Sequence, residues 1–315
     1  MLDHIHIENF RLFKNLDIPK VGRVNLITGK NNSGKTTLLE ALRLWANRKN
    51  LSYFFDYTLQ YIFSSRGEVD GDPQEWVKTL FHNQEFKTTI EINNSVFISY
   101  KDVNGINLVI KTENEREYEF RVHSPKNPMK EIVGVPYIPA SFDLVNAILW
   151  NKIDLTDKED KVAEVLRIIE PNIKRVSVDT AKNTAKVRLA NSPKPLPLKN
   201  FGEGMNRLLT VALGLVSAEN DMLLIDEIDL GLHHSVQRLL WEIVFQKSKD
   251  LNVQVFATTH SSDCVQAFSD VANKPEYVGM GNYIRLQRKK DGDIVAVDYE
   301  MEELESAMDL NLETR

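Results

Sequence analysis

The chain has 315 residues, 42% of them hydrophobic, and a formal net charge of −6. That length allows one large domain or a head with an inserted lobe, and the acidic balance excludes a global basic field for nucleic acid. Cys264 is the single cysteine, which excludes an internal disulfide framework, and no apolar run approaches the ~18 residues of a membrane span, so a cytoplasmic setting without a membrane partner is expected.

In chain order, Leu2, His4, His6 and Glu8 alternate with Asp3, Ile5 and Ile7, as in a half-buried strand, and a second short strand ends before Pro19. The start lacks the basic and apolar segments of a signal peptide. His4 and His6 share one strand face, which permits a metal pair; with no third ligand nearby, solvent-facing histidines are expected. Residues 24–27 form a strand-like run, and Leu38, Leu39, Leu42, Trp45 and Ala46 recur at helical spacing. Between them, residues 29–36 match the phosphate-binding loop G-x-x-x-x-G-K-[ST] in full. A loop from strand to helix aims amide N–H groups and the positive helix end at phosphates. Lys35 is placed to reach the β- and γ-phosphates, and the Thr36 hydroxyl to sit on Mg2+.

Residues 51–85 are irregular and aromatic-rich, and the aromatic set comprises Tyr53, Phe54, Phe55, Tyr57, Tyr61, Phe63, Trp76, Phe81 and, just beyond, Phe86. They could stack bases, but Arg66, Lys78 and Lys87 supply little backbone charge, and packing is the better expectation. Runs at 87–92, 96–101, 106–112 and 117–122 predict a β-meander with turns at Asn93-Asn94, Asn104-Gly105 and Glu113-Asn114. Pro125, Pro128, Pro136 and Pro139 punctuate a loop. Helices are predicted near 141–152 and 157–170, then a hairpin over 173–190 turning at Lys182-Asn183, then an extended stretch over 192–197. A second hairpin pairs 283–288 with 294–299 about Asp291-Gly292, whose aspartates suit turn chemistry better than metal binding, and an acidic helix follows near 301–308.

Three further motifs carry chemistry. Residues 222–225 are a continuous apolar run ending in Asp226 and Glu227, as in a strand buried on both faces of a parallel sheet. Ligands bind at the carboxyl ends of such strands; Asp226 would hold Mg2+ and Glu227 would act as general base. Residues 253–260 form a second such strand ending in His260, placed to contact the γ-phosphate or the attacking water. Residues 200–207, with Gly202, Glu203 and Gly204, form a glycine-rich turn that opens an apolar helix and offers a second anion-holding N-terminus. A nucleotide sandwiched between two copies would use both.

The order of phosphate loop, glycine-rich signature, Asp-Glu strand end and Thr-Thr-His-Ser resembles the ABC-type ATPase superfamily. The opening Ile7-Glu8-Asn9-Phe10-Arg11 looks like its SMC and RecF-like branch. Phe201-Gly202-Glu203-Gly204 with Arg207, and Asp226-Glu227-Ile228-Asp229-Leu230-Gly231-Leu232-His233, look most like the OLD (overcoming lysogenization defect) ATPases. The resemblance covers 1–47 and 195–265, and the middle lobe only by analogy. It implies an α/β P-loop NTPase fold: an ABC-type ATPase head with a mixed sheet, an antiparallel β lobe and a small helical arm. The expected organisation is a single ATPase domain over 1–315, with a nucleotide-binding core from 1–50 and 195–280, an inserted lobe over 51–194, and a hairpin and helix over 281–315.

By the resemblance, Gly29, Lys30, Asn31, Asn32, Ser33, Gly34, Lys35, Thr36 and Thr37 cradle ATP, Asp226 binds Mg2+, Glu227 is the catalytic base and His260 the switch histidine. Gly202, Glu203, Gly204 and Arg207 act in trans in a homodimer, and Asp229 lies in the loop linking two active sites. His233 and His234 are expected to be structural. Asn200 replaces the usual signature serine, and Gln60, Gln74 and Gln84 all remain candidates for the glutamine loop. The stretch after His260 is shorter than the ~100 residues of a Toprim nuclease domain, so none is expected there. The leading expectation is a Mg2+-dependent ATP hydrolase controlling a separate effector, a nuclease or toxin, in prokaryotic antiphage defence or DNA maintenance. A second reading is a RecF-like DNA clamp using Lys174, Arg175, Lys182, Lys186 and Arg188, which a solvated lobe face also explains. A transporter ATPase is a third, disfavoured by the SMC-like opening.

Overall fold

The runs Val24–Thr28 (β3), Met222–Ile225 (β12) and Gln254–Thr258 (β13) are buried along their whole length. Strands without polar alternation belong in a sheet covered on both faces, and in this computed structural model they sit side by side. The structure describes residues 1–50, 58–65, 73–85, 89–102, 106–112, 117–121, 134–140, 145–299 and 304. The central sheet runs β15-β14-β3-β13-β12-β8, with β8 at Tyr137–Ile138, β14 at Gly281–Arg288 and β15 at Ile294–Tyr299. All are parallel except the edge strand β15. Ile27 lies opposite Thr258, and Ala257 opposite Ile225. The three strands therefore end level, and the loops after them gather at one edge.

The period-2 geometry of a strand divides the core between the two faces. Val24, Leu26, Leu223, Ile225, Val255 and Ala257 face one hydrophobic cluster. It is filled by helices α4 (Val145–Asn151), α5 (Lys158–Arg167), α6 (Glu203–Ser217), α7 (His234–Asp250) and α8 (Ser262–Ala272). Ile27, Leu224 and Phe256 face the other cluster, filled by α1 (Lys35–Ala46) and an antiparallel sheet. That sheet runs β2-β1-β4-β5-β6-β7, with β1 at Ile5–Phe10, β2 at Phe13–Ile18, β4 at Ile90–Ile92, β5 at Val96–Asp102, β6 at Ile106–Thr112 and β7 at Glu117–Arg121. Short helices α2 (Gln60–Ser65) and α3 (Pro73–Lys78) contribute Ile62, Phe63, Trp76 and Val77 to the same cluster. Phe63, Trp76 and Phe81 are buried there, so these aromatics pack. Tyr53, Phe54, Phe55, Tyr57 and Phe86 lie outside the described residues, as do the expected turns at 104–105 and 113–114 and all of the tail helix but Leu304.

Three segments sit differently from the division drawn on sequence. The N-terminal hairpin pairs with the meander, Ile7 opposite Ile92, and so builds the β lobe. The hairpin after residue 281 belongs to the central sheet, where β14 lies against β3. The Pro136–Pro139 stretch, expected as loop, contains β8 beside β12; at a sheet edge the missing proline N–H costs no ladder bond. Helix α1 carries two further buried polar side chains. Arg43 lies against the rings of both Tyr61 and Tyr137, at 4.4 and 5.2 Å, and Glu40 pairs with Arg11 at 3.2 Å.

A third sheet, β11-β10-β9, is made by Ile173–Asp179 (β9), Thr184–Leu189 (β10) and Leu196–Pro197 (β11). Val176, Val178, Ala185 and Val187 face inward, while Arg175, Lys186 and Arg188 are exposed. His4 is exposed beside Asp3, and His6 lies 3.2 Å from Glu8. Among the described residues no group of three or more His, Cys, Asp and Glu is placed to hold a metal ion, and no helix is long and apolar enough to cross a membrane.

Candidate nucleotide site

Residues 29–34 leave β3 and enter α1 through left-handed backbone at Gly29 (φ 142°), Asn32 (φ 61°) and Gly34 (φ 96°). A Cβ on Gly34 would lie 2.8 Å from the Phe13 ring, so both space and dihedral exclude a side chain. No side chain caps α1, whose first amides point into the loop. Lys35 is buried, and its Nζ donates to the carbonyls of Gly29 at 2.8 Å and Lys30 at 3.2 Å. Burial lowers its pKa to about 8, against the opposing pull of Asp226 and Glu227. Asn31 and Asn32 are exposed at the mouth, Ser33 is buried, and the Ser33 N–H donates to the Lys30 carbonyl at 3.2 Å. Thr37 is buried one residue into the helix beyond Thr36.

Asp226 follows β12 and is buried. The Thr36 hydroxyl donates to its Oδ2 at 2.9 Å, and the Thr258 hydroxyl donates to its Oδ1 at 2.6 Å. Thr258 Oγ1 also accepts the Glu227 N–H at 2.8 Å. One hydroxyl at the end of β13 therefore fixes both acids. Glu227 is half-buried at φ 49°, a strained value for a glutamate. Beyond it, Asp229 accepts from Thr259 Oγ1 at 2.6 Å. His260 stands exposed after β13. Desolvation, and then the Lys35 ammonium, lower its pKa, so the ring is neutral at pH 7.

Arg207, expected to act across a dimer, is engaged within its own chain. Its guanidinium donates to the carbonyls of Asp226 (3.0 Å), Glu227 (2.7 Å) and Ile228 (3.2 Å). Gly202, at φ 94°, precedes α6 with open space where a Cβ would stand, and Gly204 approaches Leu232. The Glu203 side chain lies outside the described residues, as do those of Gln60 and Gln74, while Gln84 is exposed. His233 caps α7, accepting the Ser235 N–H, with its ring 4.1 Å from that of His234. On the far side of the loop, Lys30, Asn31 and Asn32 face Arg285 and Arg288 of β14 across a cleft of about 420 Å³.

The sequence reading missed Thr258 as an anchor and Arg207 as a partner of its own chain. Two hydroxyls beside His260, at the end of an otherwise apolar run, were the available signal for the first.

A carboxylate and a hydroxyl meet opposite a buried lysine under a helix N-terminus, an arrangement whose chemistry suits a nucleoside triphosphate. Residues 80–263 match the sequence profile of the family described as "AAA domain, putative AbiEii toxin, Type IV TA system". The chain belongs to that family. Residues 1–136 also match a family described as "AAA ATPase domain". An "ATP/GTP phosphatase" of Helicobacter pylori is 24% identical, over 88% of this chain and 90% of that protein. The "DNA replication and repair protein RecF" of Lactobacillus acidophilus is 35% identical, over 29% of this chain and 22% of its own length. Among solved structures, an SMC head bound to the C-winged helix domain of ScpA superposes with a TM-score of 0.55 at 13% identity, covering 98% of this chain and 99% of that one. The SMC head domain from Thermotoga maritima gives 0.54 at 13% identity, covering 95% and 99%. The fold is thus that of an ABC-type P-loop ATPase with a mixed sheet, and the chain carries the AAA-family ATPase domain.

Proposed function

We propose that this chain is an OLD-like ATPase that dimerises around Mg-ATP and controls a separate effector, a nuclease or toxin, in prokaryotic antiphage defence or DNA maintenance. The observation that carries the nucleotide part is the chain of contacts Thr36–Asp226–Thr258–Glu227, which draws three strand ends onto one point. Lys35 and the amides of residues 29–37 hold the phosphates, with Asn31, Asn32 and Ser33 in the loop. Thr36 and Asp226 form an oxygen donor set that suits Mg2+, which would neutralise phosphate charge when bound. Glu227 accepts the proton of the attacking water. The His260 ring donates to the γ-phosphate. Gly202, Glu203 and Gly204 of a second copy close the site, since Gly202 offers bare backbone beside a helix N-terminus. The family description, which names a putative toxin system, supports the defence setting.

The test is Glu227→Gln in saturating Mg-ATP. Light scattering should report a stable dimer with hydrolysis lost; a monomer would overturn the sandwich. Lys35→Ala should abolish ATP binding by calorimetry.

A second reading, the RecF-like DNA clamp, draws on the third sheet. Arg188 lies directly opposite Arg175 on its exposed face, a like-charge pair that a polyanion would relieve. Salt-dependent DNA binding by the isolated protein would favour it, and co-purification of an effector without DNA binding would favour the first.

A further inference from the structure

β12 ends at Ile225, and the carbonyls of Asp226, Glu227 and Ile228 leave the sheet ladder. The left-handed turn at Glu227 directs all three toward α6, where Arg207 takes them together, Nη2 bonding the first two and Nε the third. The Glu227 carbonyl also accepts the Leu230 N–H at 3.0 Å; Arg207 adds the bond that joins it to its two neighbours, and a fork-shaped donor suits three successive carbonyls where a lysine ammonium is a point donor. Arg207 also stands on the first turns of α6, three residues after Gly204. The helix that presents the glycine-rich turn and the turn that presents Glu227 are therefore one hydrogen-bonded unit within a single chain.

We infer that Arg207 is the positioning residue for the Glu227 carboxylate: it locks the strained backbone of its own chain's acid and ties that acid to the seating of α6. This rests on the proposed role of Glu227 and, for the coupling, on the two-copy site. Closure of a second nucleotide against Gly202 and Gly204 would then be felt at the acid of the chain that supplies those glycines. Each copy would sense its partner's nucleotide through three carbonyls.

The test compares Arg207→Ala and Arg207→Lys with the parent. Turnover should fall about a hundredfold while ATP affinity by calorimetry changes less than about twofold, and millimolar guanidinium should restore part of the turnover of Arg207→Ala. A folded Arg207→Lys protein with full turnover overturns the inference, as does loss of ATP affinity in step with turnover. Mixing Arg207→Ala with Glu227→Gln separates action within a chain from action across a dimer. Within one chain, both sites of the mixed dimer are impaired and the mixture stays inactive. If Arg207 served the partner's site, one site would be intact and activity would return, which sinks the inference. A monomeric Glu227→Gln protein instead removes the two-copy reading, while the guanidinium result still decides the role of Arg207.

Discussion

The Thr36 hydroxyl donates to Asp226 Oδ2 at 2.9 Å across 190 positions of sequence. This contact joins the phosphate loop to the acidic strand end, and both oxygens are of the hard type that Mg2+ selects. Thr36→Val removes one of them while keeping the volume. Hydrolysis by the parent should stop with EDTA and return with Mg2+, and the variant should need about tenfold more Mg2+ for half-maximal rate, which a metal titration of phosphate release measures.

Lys35 gives the site a pH dependence with a definite sign. Its folded pKa, about 8, lies below its ordinary 10.5. Between those values the unfolded chain binds the extra proton, so this lysine makes stability rise with pH across that window. ATP affinity should do the opposite, falling above pH 8 as the ammonium is lost. Binding at pH 9 should therefore take up protons, visible as a dependence of the calorimetric heat on buffer ionisation enthalpy.

Thr258 holds the side chain of Asp226 and the backbone of Glu227 with one oxygen. Thr258→Val keeps the shape but strands a buried carboxylate oxygen and an amide, at a cost of about 1–3 kcal/mol. Denaturant melts should show that loss, and turnover should fall further than stability alone explains. Thr258→Ser should retain both.

Gly34 tests the loop geometry. Alanine there meets the Phe13 ring and a left-handed φ of 96°, which costs about 1–2 kcal/mol for the dihedral alone. Gly34→Ala should lower the melting temperature and weaken ATP binding at least tenfold, while alanine at Gly292, equally left-handed but in open space, should leave ATP binding unchanged.

The phosphate loop, β3, β12 and β13 were legible because apolar runs followed by glycine or acid carry their own local signature. The C-terminal hairpin was legible as a pair of strands but not as a neighbour of β3, since its partners lie some 257 positions away in Arg285 and Thr28 and leave no local trace. β8 has two residues between prolines, too short for any periodicity. Arg207 shows its place on a helix in sequence, but the carbonyls it meets are aimed by the dihedral of Glu227, which sequence does not carry. Arg43 was readable in principle: an arginine amid Leu42 and Leu44 on an apolar helix needs buried partners, and two tyrosine faces supply them.

The pairing of β3 also constrains biosynthesis. Asn25 bonds the Val255 carbonyl 230 positions on, and the other neighbour of β3 emerges later still. At about 5–20 residues per second, the loop strand spends on the order of tens of seconds outside the ribosome with no sheet to join. A nascent chain of this kind cannot bring Thr36, Asp226 and Thr258 together until translation has passed Thr258.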